Sequence, residues 1–219
     1  MASTEMLVPH LRATLAMDWS LPALQPLLQA AGAVPFRETH AQEAYLAEHD
    51  APAHGHDAER SARYLAALRR ARELADAREP LTWPRLCEIQ ALVLGAPAAF
   101  RTGDAFAHGG AHRYLWSADL EEMFRRKVEA DARDSCDAVA RAVRLYLDVA
   151  YFHPFPDGNA RAARLALEWV LRSARRPTPP LAPLVVMPKE PGDASCYERC
   201  VRVVAQGIAR LATPGEGSR

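Results

Sequence analysis

Cysteine is scarce in this chain, with four residues among 219, and they are scattered. That excludes a small scaffold held by disulfides, and reduced thiols in a cytoplasmic protein are the expectation. Cys196 and Cys200 would lie one helical turn apart, but two thiols alone do not make a metal site. Excess charge of either sign is also missing: 27 Lys and Arg face 27 Asp and Glu. General attraction to nucleic acid or to a membrane surface is therefore not expected. No apolar run approaches the roughly 20 residues of a membrane span. The first residues lack a basic segment followed by a long apolar run, so no signal peptide is expected. No internal repeat is evident.

What the chain does have is helical periodicity. Residues 7–15 and 21–31 are short apolar segments interrupted by Pro9, Pro22 and Pro26. Residues 39–50 form a short helical pattern, and 51–56 read as a loop. Its histidines, with His40 and His49 nearby, are read as solvated rather than as metal ligands. Asp57 is a candidate N-cap for a helix over 58–78, with Tyr64, Leu65, Leu68, Ala71 and Ala75 inward. Thr82 and Ser117 are candidate caps of helices running to Gly95 and to about Ala130. Between those two helices, residues 98–116 lose the helical period and read as a β-hairpin turning near Gly109 and Gly110. The proline-rich stretch 174–192 reads as a connector, and Asp193 as the cap of a last helix.

Chemistry concentrates in residues 153–164, HPFPDGNARAAR. Upstream, Val139, Ala142, Val143, Tyr146, Leu147 and Ala150 recur on one helix face. Pro154 and Pro156 stop that helix. Asp157 and Gly158 supply a turn, and Asn159 is a candidate N-cap of the next helix. The first amides of that helix lack intrahelical acceptors, and together with the helix dipole they make an anion site. Arg161 and Arg164 are i, i+3 neighbours that oppose the dipole and repel each other, and a bound phosphate removes both objections. Asp157 would then need a cation such as Mg²⁺ between itself and the phosphates. His153 is the natural proton acceptor.

This stretch resembles the Fic (Fido-domain) signature, H-x-F-x-(D/E)-G-N-G-R-x-x-R, with Ala160 in place of one glycine. The resemblance implies an all-α, Fic-type helical bundle with a small β-hairpin flap. It also implies transfer of AMP from ATP to a Ser, Thr or Tyr hydroxyl of a target protein. Carried over by position, His153 is the base and Asp157 holds Mg²⁺. Gly158, Asn159 and the amide of Ala160 line the anion hole, Arg161 and Arg164 bind the outer phosphates, and Phe155 anchors the loop. Arg101, Thr102 and Gly103 resemble the segment before the flap, so the target would dock by strand addition along 101–116. Thr39 and Glu43 resemble part of the family's inhibitory motif, (S/T)-x-x-x-E-(G/N), with Ala44 in the last place. Glu43 is thus a candidate inhibitor pairing with the second motif arginine, or else a solvated helix residue. Tyr197 resembles a contact to the nucleotide base and is equally suited to packing.

The expected organisation is an N-terminal helical extension over 1–57, a catalytic core over 58–211 and a disordered tail over 212–219. Three alternatives stay open because of Ala160: transfer of phosphate, transfer of another nucleotide including to a small-molecule acceptor, and a nucleotide-binding pseudoenzyme. The sequence gives no reading of acceptor identity or oligomeric state.

Overall fold

The structure is a computed structural model that describes residues 4–6, 21–110, 112–134 and 136–212. The readings made for residues 7–15 and 213–219 fall outside the described residues. A turn of 3₁₀ helix, Pro22–Leu24, leads into α1 (Gln25–Gly32), with Pro26 in the first turn, where its missing amide costs nothing. Helix α2 (Ala41–Tyr45) runs into a π-helical turn, Leu46–Asp50, and a last turn, Ala51–Ala53. The expected loop over 51–56 is thus half helical. Helix α3 (Ala58–Asp76) starts at Asp57, whose carboxylate accepts the Arg60 amide at 2.9 Å. Helix α4 (Trp83–Leu94) ends at Gly95 with φ of 70°, a conformation glycine takes without cost.

The hairpin is present. Strands β2 (Ala105–Ala107) and β3 (His112–Tyr114) pair antiparallel around a turn at His108–Gly110. A third strand, β1 (Thr4–Met6), lies parallel to β3 on its other edge. Five helices follow: α5 (Leu120–Arg133), α6 (Ala138–Phe152), α7 (Asn159–Ser173), a short α8 (Ala182–Val185) and α9 (Ala194–Arg210). Asp137 and Asp193 cap α6 and α9 through their carboxylates.

Three cap readings are corrected. Ser117 does not cap α5: its hydroxyl donates to the Asp119 carboxylate, and Asp119 holds the cap position. Thr82 sits at the cap position of α4, but its side chain makes no cap bond. Gly158, not Asn159, occupies the cap position of α7.

Helices α6 and α7 pack along each other at the centre, with α3 against α4 and α7, α5 against α6, and α9 against α1 and α6. The reason is burial: α6 keeps Val139, Val143, Leu147 and Phe152 out of water, and α7 keeps Leu165, Leu167, Trp169 and Leu171 out of water. Leu24, Leu28, Ala31 and Leu46 of the N-terminal extension join the same cluster. Among the described residues no helix is long and apolar enough to cross a membrane.

Phe155 lies at the floor of the 153–164 loop. It is fully buried and stacks on Trp83 with centroids 5.4 Å apart and planes 13° off parallel. Phe100 and Phe124 complete this aromatic floor against Trp83. A rigid base under a turn with four polar residues is what holds those residues in register.

Candidate active site

Helix α6 ends at His153, which takes the left-handed conformation with φ of 45°. Proline follows, so the helix cannot continue there. The His153 amide still reaches the Val149 oxygen, and its Nδ1 lies 2.9 Å from the Ala150 oxygen. A carbonyl oxygen only accepts, so Nδ1 carries the proton and the lone pair is on Nε2. The ring stacks on Tyr114 of the hairpin, with centroids 3.6 Å apart and planes 14° off parallel. Histidine, hairpin and helix end thus form one unit.

Arg101 ties that unit together. Its guanidinium donates to four carbonyl oxygens, of His153 at 2.8 Å, Gly103 at 2.5 Å, Leu115 at 3.0 Å and Phe152 at 3.3 Å. Its amide donates to Pro154 at 2.8 Å. The residue is buried, and that burial lowers its pKa despite the nearby Asp104 carboxylate. One cation therefore satisfies carbonyls from the loop and both ends of the hairpin.

The turn itself is locked by two amide side chains. Asn159 Oδ1 accepts the Phe155 amide at 2.9 Å and Nδ2 donates to the Phe155 oxygen at 2.8 Å. This replaces the expected capping role: the carboxamide matches the donor and acceptor of one backbone residue, as a strand partner does. Gln90 of α4 donates to the Asp157 oxygen at 2.7 Å. Gly158 has φ of 74°, and a Cβ there would meet Gln90 Nε2 at 2.7 Å and Arg161 Nη2 at 3.3 Å. Only glycine fits this position.

The first intrahelical bond of α7 runs from the Ala162 amide to the Gly158 oxygen at 2.9 Å. The amides of Asn159, Ala160 and Arg161 precede it and have no intrahelical acceptor. Ala160 is exposed and has no positive φ, so its methyl leaves the backbone of this turn unstrained. The Asp157 carboxylate lies on the rim, 75% exposed and 3.5 Å from Arg161 Nη2.

Both motif arginines are buried, with side chains 3% exposed. Arg161 approaches the Val93 oxygen at 3.5 Å, and its Nε has no acceptor. Arg164 packs its guanidinium over Tyr45 and Tyr64, 4.6 and 5.2 Å from the ring centroids. Its Nε and Nη2 have no acceptor. Buried guanidinium donors without acceptors are costly, and an anion between them would remove the cost.

The structure brings together His153, Asp157, Gly158, Asn159, Ala160, Arg161 and Arg164 within one loop and helix start. It does not bring Glu43 or Tyr197 there. Glu43 pairs with Arg72 of α3 at 2.6 Å, not with Arg164, and Arg72 also holds Glu168 at 2.7 Å and the Thr39 oxygen at 3.3 Å. Thr39 lies ahead of α2 and its hydroxyl donates to the Thr178 oxygen at 2.9 Å, while Glu43 faces α3. The carboxylate opposite Arg164 is that of Asp50 in the π-helical turn, 3.7 Å from Nη2. Tyr197 is buried between α9 and α6, where its hydroxyl donates to the Ala140 oxygen at 3.2 Å. Ala140 is in the first turn of α6 and His153 closes the last, so Tyr197 stands at the far end of that helix.

Asp50, Gln90, Arg101 and Tyr114 were not legible as site residues. The one signal available was an arginine directly before Thr-Gly at the entry to the hairpin, a poor place for a solvated charge to be needed.

Comparison with known proteins adds three findings. Residues 80–171 match the model of the Fic/DOC family. A "Uridine 5'-monophosphate transferase" from Xanthomonas campestris pv. campestris (strain 8004) is 34% identical over 86 residues, which is 38% of this chain and 16% of that protein. A Fic domain containing signaling protein from Bacteroides thetaiotaomicron, known as a crystal structure, aligns with a TM-score of 0.46 at 15% identity over 95% of this chain and 97% of that chain. The histidine that ends α6, the locked turn and the arginines of α7 all lie inside the stretch, 80–171, that matches the Fic/DOC family.

Proposed function

We propose that the protein transfers a nucleoside monophosphate from a nucleoside triphosphate to a hydroxyl group, with AMP from ATP to a Ser, Thr or Tyr side chain of a target protein as the first assignment. The observation that supports the reading is the 2.9 Å contact from His153 Nδ1 to the Ala150 oxygen, which leaves Nε2 as the basic nitrogen of the ring. In this reading Nε2 takes the hydroxyl proton as the oxygen attacks the α-phosphorus. The bond to the bridging oxygen breaks, and pyrophosphate leaves with that electron pair. The amides at Asn159 and Ala160 and the Arg161 and Arg164 guanidiniums receive the negative charge that builds on the phosphates.

Asp157 would hold the Mg²⁺ that the family implies. One exposed carboxylate beside an anion site fits that ion, which uses few protein ligands together with phosphate oxygens. When bound, it would supply positive charge between carboxylate and phosphates. The target segment would lie along the outer edge of β2, since β1 already pairs with the other edge of β3.

A second donor is favoured by one observation, the name of the Xanthomonas relative, which brings UMP in place of AMP. Incubation of the protein and a lysate with Mg²⁺ and either ATP or UTP, each labelled at the α-phosphorus, tests both. Label on protein from one donor selects it. Label only from a γ-labelled donor would overturn nucleotidyl transfer in favour of phosphoryl transfer.

A further inference from the structure

Asp50 is a single carboxylate with two guanidinium neighbours. Arg164 Nη2 lies 3.7 Å from its Oδ1, and Arg60 Nη2, from the first turn of α3, lies 3.8 Å from the same oxygen. His54 holds Arg60 in place: its Nδ1 donates to the Asp50 backbone oxygen at 2.7 Å, and its Nε2 accepts Arg60 Nη2 at 3.1 Å. That pattern uses one ring nitrogen on the Asp50 backbone and the other on Arg60. None of the distances to the Asp50 carboxylate is a hydrogen bond, and its Oδ2 is buried with no partner. Nε of Arg60, Nε of Arg161, and Nε and Nη2 of Arg164 are likewise buried without acceptors.

The charges do not balance. Arg60, Arg161 and Arg164 carry three positive charges against two carboxylates, Asp50 beside Arg60 and Arg164 and the exposed Asp157 beside Arg161. Burial and then the Arg60 charge push the Arg161 pKa down, so the two guanidiniums feel each other. Like charges this close, with donors facing no acceptor, mark a place for an anion larger than one carboxylate.

We infer that Arg60 is a third guanidinium of the anion site and selects a nucleoside triphosphate over shorter phosphate tails. The inference rests on the function proposed above and names the group that reads the end of the donor. The amides at the start of α7 serve one phosphate, and Arg161 and Arg164 lie successively deeper along the helix. Arg60 reaches the same Asp50 oxygen as Arg164 but from α3, and supplies the charge that only the last phosphate would need.

The test is direct binding of ATP, ADP, AMP and inorganic triphosphate, with Mg²⁺, to the whole chain and to Arg60→Ala and Arg60→Lys, each repeated in an Asp50→Asn background. The expected result is that ATP binds more tightly than ADP in the parent, and that Arg60→Ala cuts this ratio by about tenfold while leaving AMP affinity unchanged. Arg60→Lys, which keeps the charge without the planar fork, should restore part of the ratio. Inorganic triphosphate should compete with ATP in the parent and less in Arg60→Ala. An ATP to ADP ratio that survives Arg60→Ala would overturn the inference and leave the proposed function standing. Absence of nucleotide binding in both backgrounds would overturn the proposed function itself. Circular dichroism of each variant guards against misfolding, and Arg60→Gln replaces Arg60→Ala should that variant lose its helical signal.

Discussion

His153 Nδ1 points at the Ala150 oxygen from 2.9 Å, one turn back along the same helix. The contact fixes both ring orientation and tautomer through a backbone oxygen. Removing the imidazole should therefore remove the base and little else. His153→Ala is expected to lower the transfer rate by about 10² to 10⁴-fold. Nucleotide affinity, measured by titration calorimetry, should stay near the parent value, because the phosphate contacts lie in α7. A variant as active as the parent would sink the base assignment.

Gly158 is the residue on which the anion turn depends sterically. Its φ of 74° disfavours any side chain, and a Cβ would also press on Gln90 Nε2 at 2.7 Å. Gly158→Ala is expected to cost about 1–2 kcal/mol for the backbone conformation alone, read from urea denaturation. Adding Gln90→Ala should relieve the contact with the amide and recover only part of the loss. Full recovery in the double variant would show that backbone conformation is not the limiting factor.

Arg101 joins hairpin to catalytic loop through four carbonyl oxygens. Lysine has no planar fork and cannot reach that many acceptors at once. Arg101→Lys should thus behave like Arg101→Ala, with about 1–3 kcal/mol lost for buried acceptors left unpaired. Hydrogen exchange should speed up across both 101–116 and 150–155. Faster exchange in only one of the two segments would show that the clamp does not couple them.

These three residues also show where sequence reading works and where it stops. Helices α6 and α7 and the turn between them were legible because apolar period, paired prolines and a glycine are all local signals. The hairpin was legible because residues 98–116 lose that period. Arg101 and Gln90 were not, since their acceptors on His153 and Asp157 are 52 and 67 residues away. Nothing local distinguishes such a side chain from a solvated one. Asn159 was placed at the right turn with the wrong bond, since a carboxamide at a helix start can cap forward or pair backward, and only the position of Phe155 decides. Glu43 shows the opposite failure. Its spacing from Thr39 assumed one helix through both, but α2 starts only at Ala41, and the Glu43 partner, Arg72, depended on how α2 packs on α3.

Glu43 has a consequence for acid stability. Burial acts to raise its carboxyl pKa, but the Arg72 hydrogen bond, a backbone contact and the Arg72 charge outweigh that and hold it below its ordinary value. A group depressed in the folded state stabilises the fold above its unfolded pKa, and the gain is lost as pH falls through the folded value. Glu43→Gln should accordingly cost about 1 kcal/mol at neutral pH. The difference between parent and variant should shrink once the pH drops through the ordinary carboxylate range, and vanish below Glu43's depressed value. A difference that persists in acid would mean that packing, not charge, holds α2 on α3.

Asp50 stands where an inhibitory carboxylate was expected from Glu43, with its Oδ1 3.7 Å from Arg164 Nη2. Phosphate oxygens bound by Arg164 would compete with it for the same donors. Asp50 also stabilises the fold without nucleotide, because it is the anion that two buried or half-buried guanidiniums face. The two roles separate in one variant. Asp50→Asn keeps the shape and removes the charge, so it should lower the melting temperature of the nucleotide-free protein. ATP with Mg²⁺ should then raise that temperature by more than it does in the parent, and transfer should increase several-fold. Glu43→Gly, which cuts the tie between α2 and α3, can release the same carboxylate only indirectly and should raise transfer less. Should Glu43→Gly activate more strongly than Asp50→Asn, inhibition would depend on the seating of the helix and not on the carboxylate in the pocket.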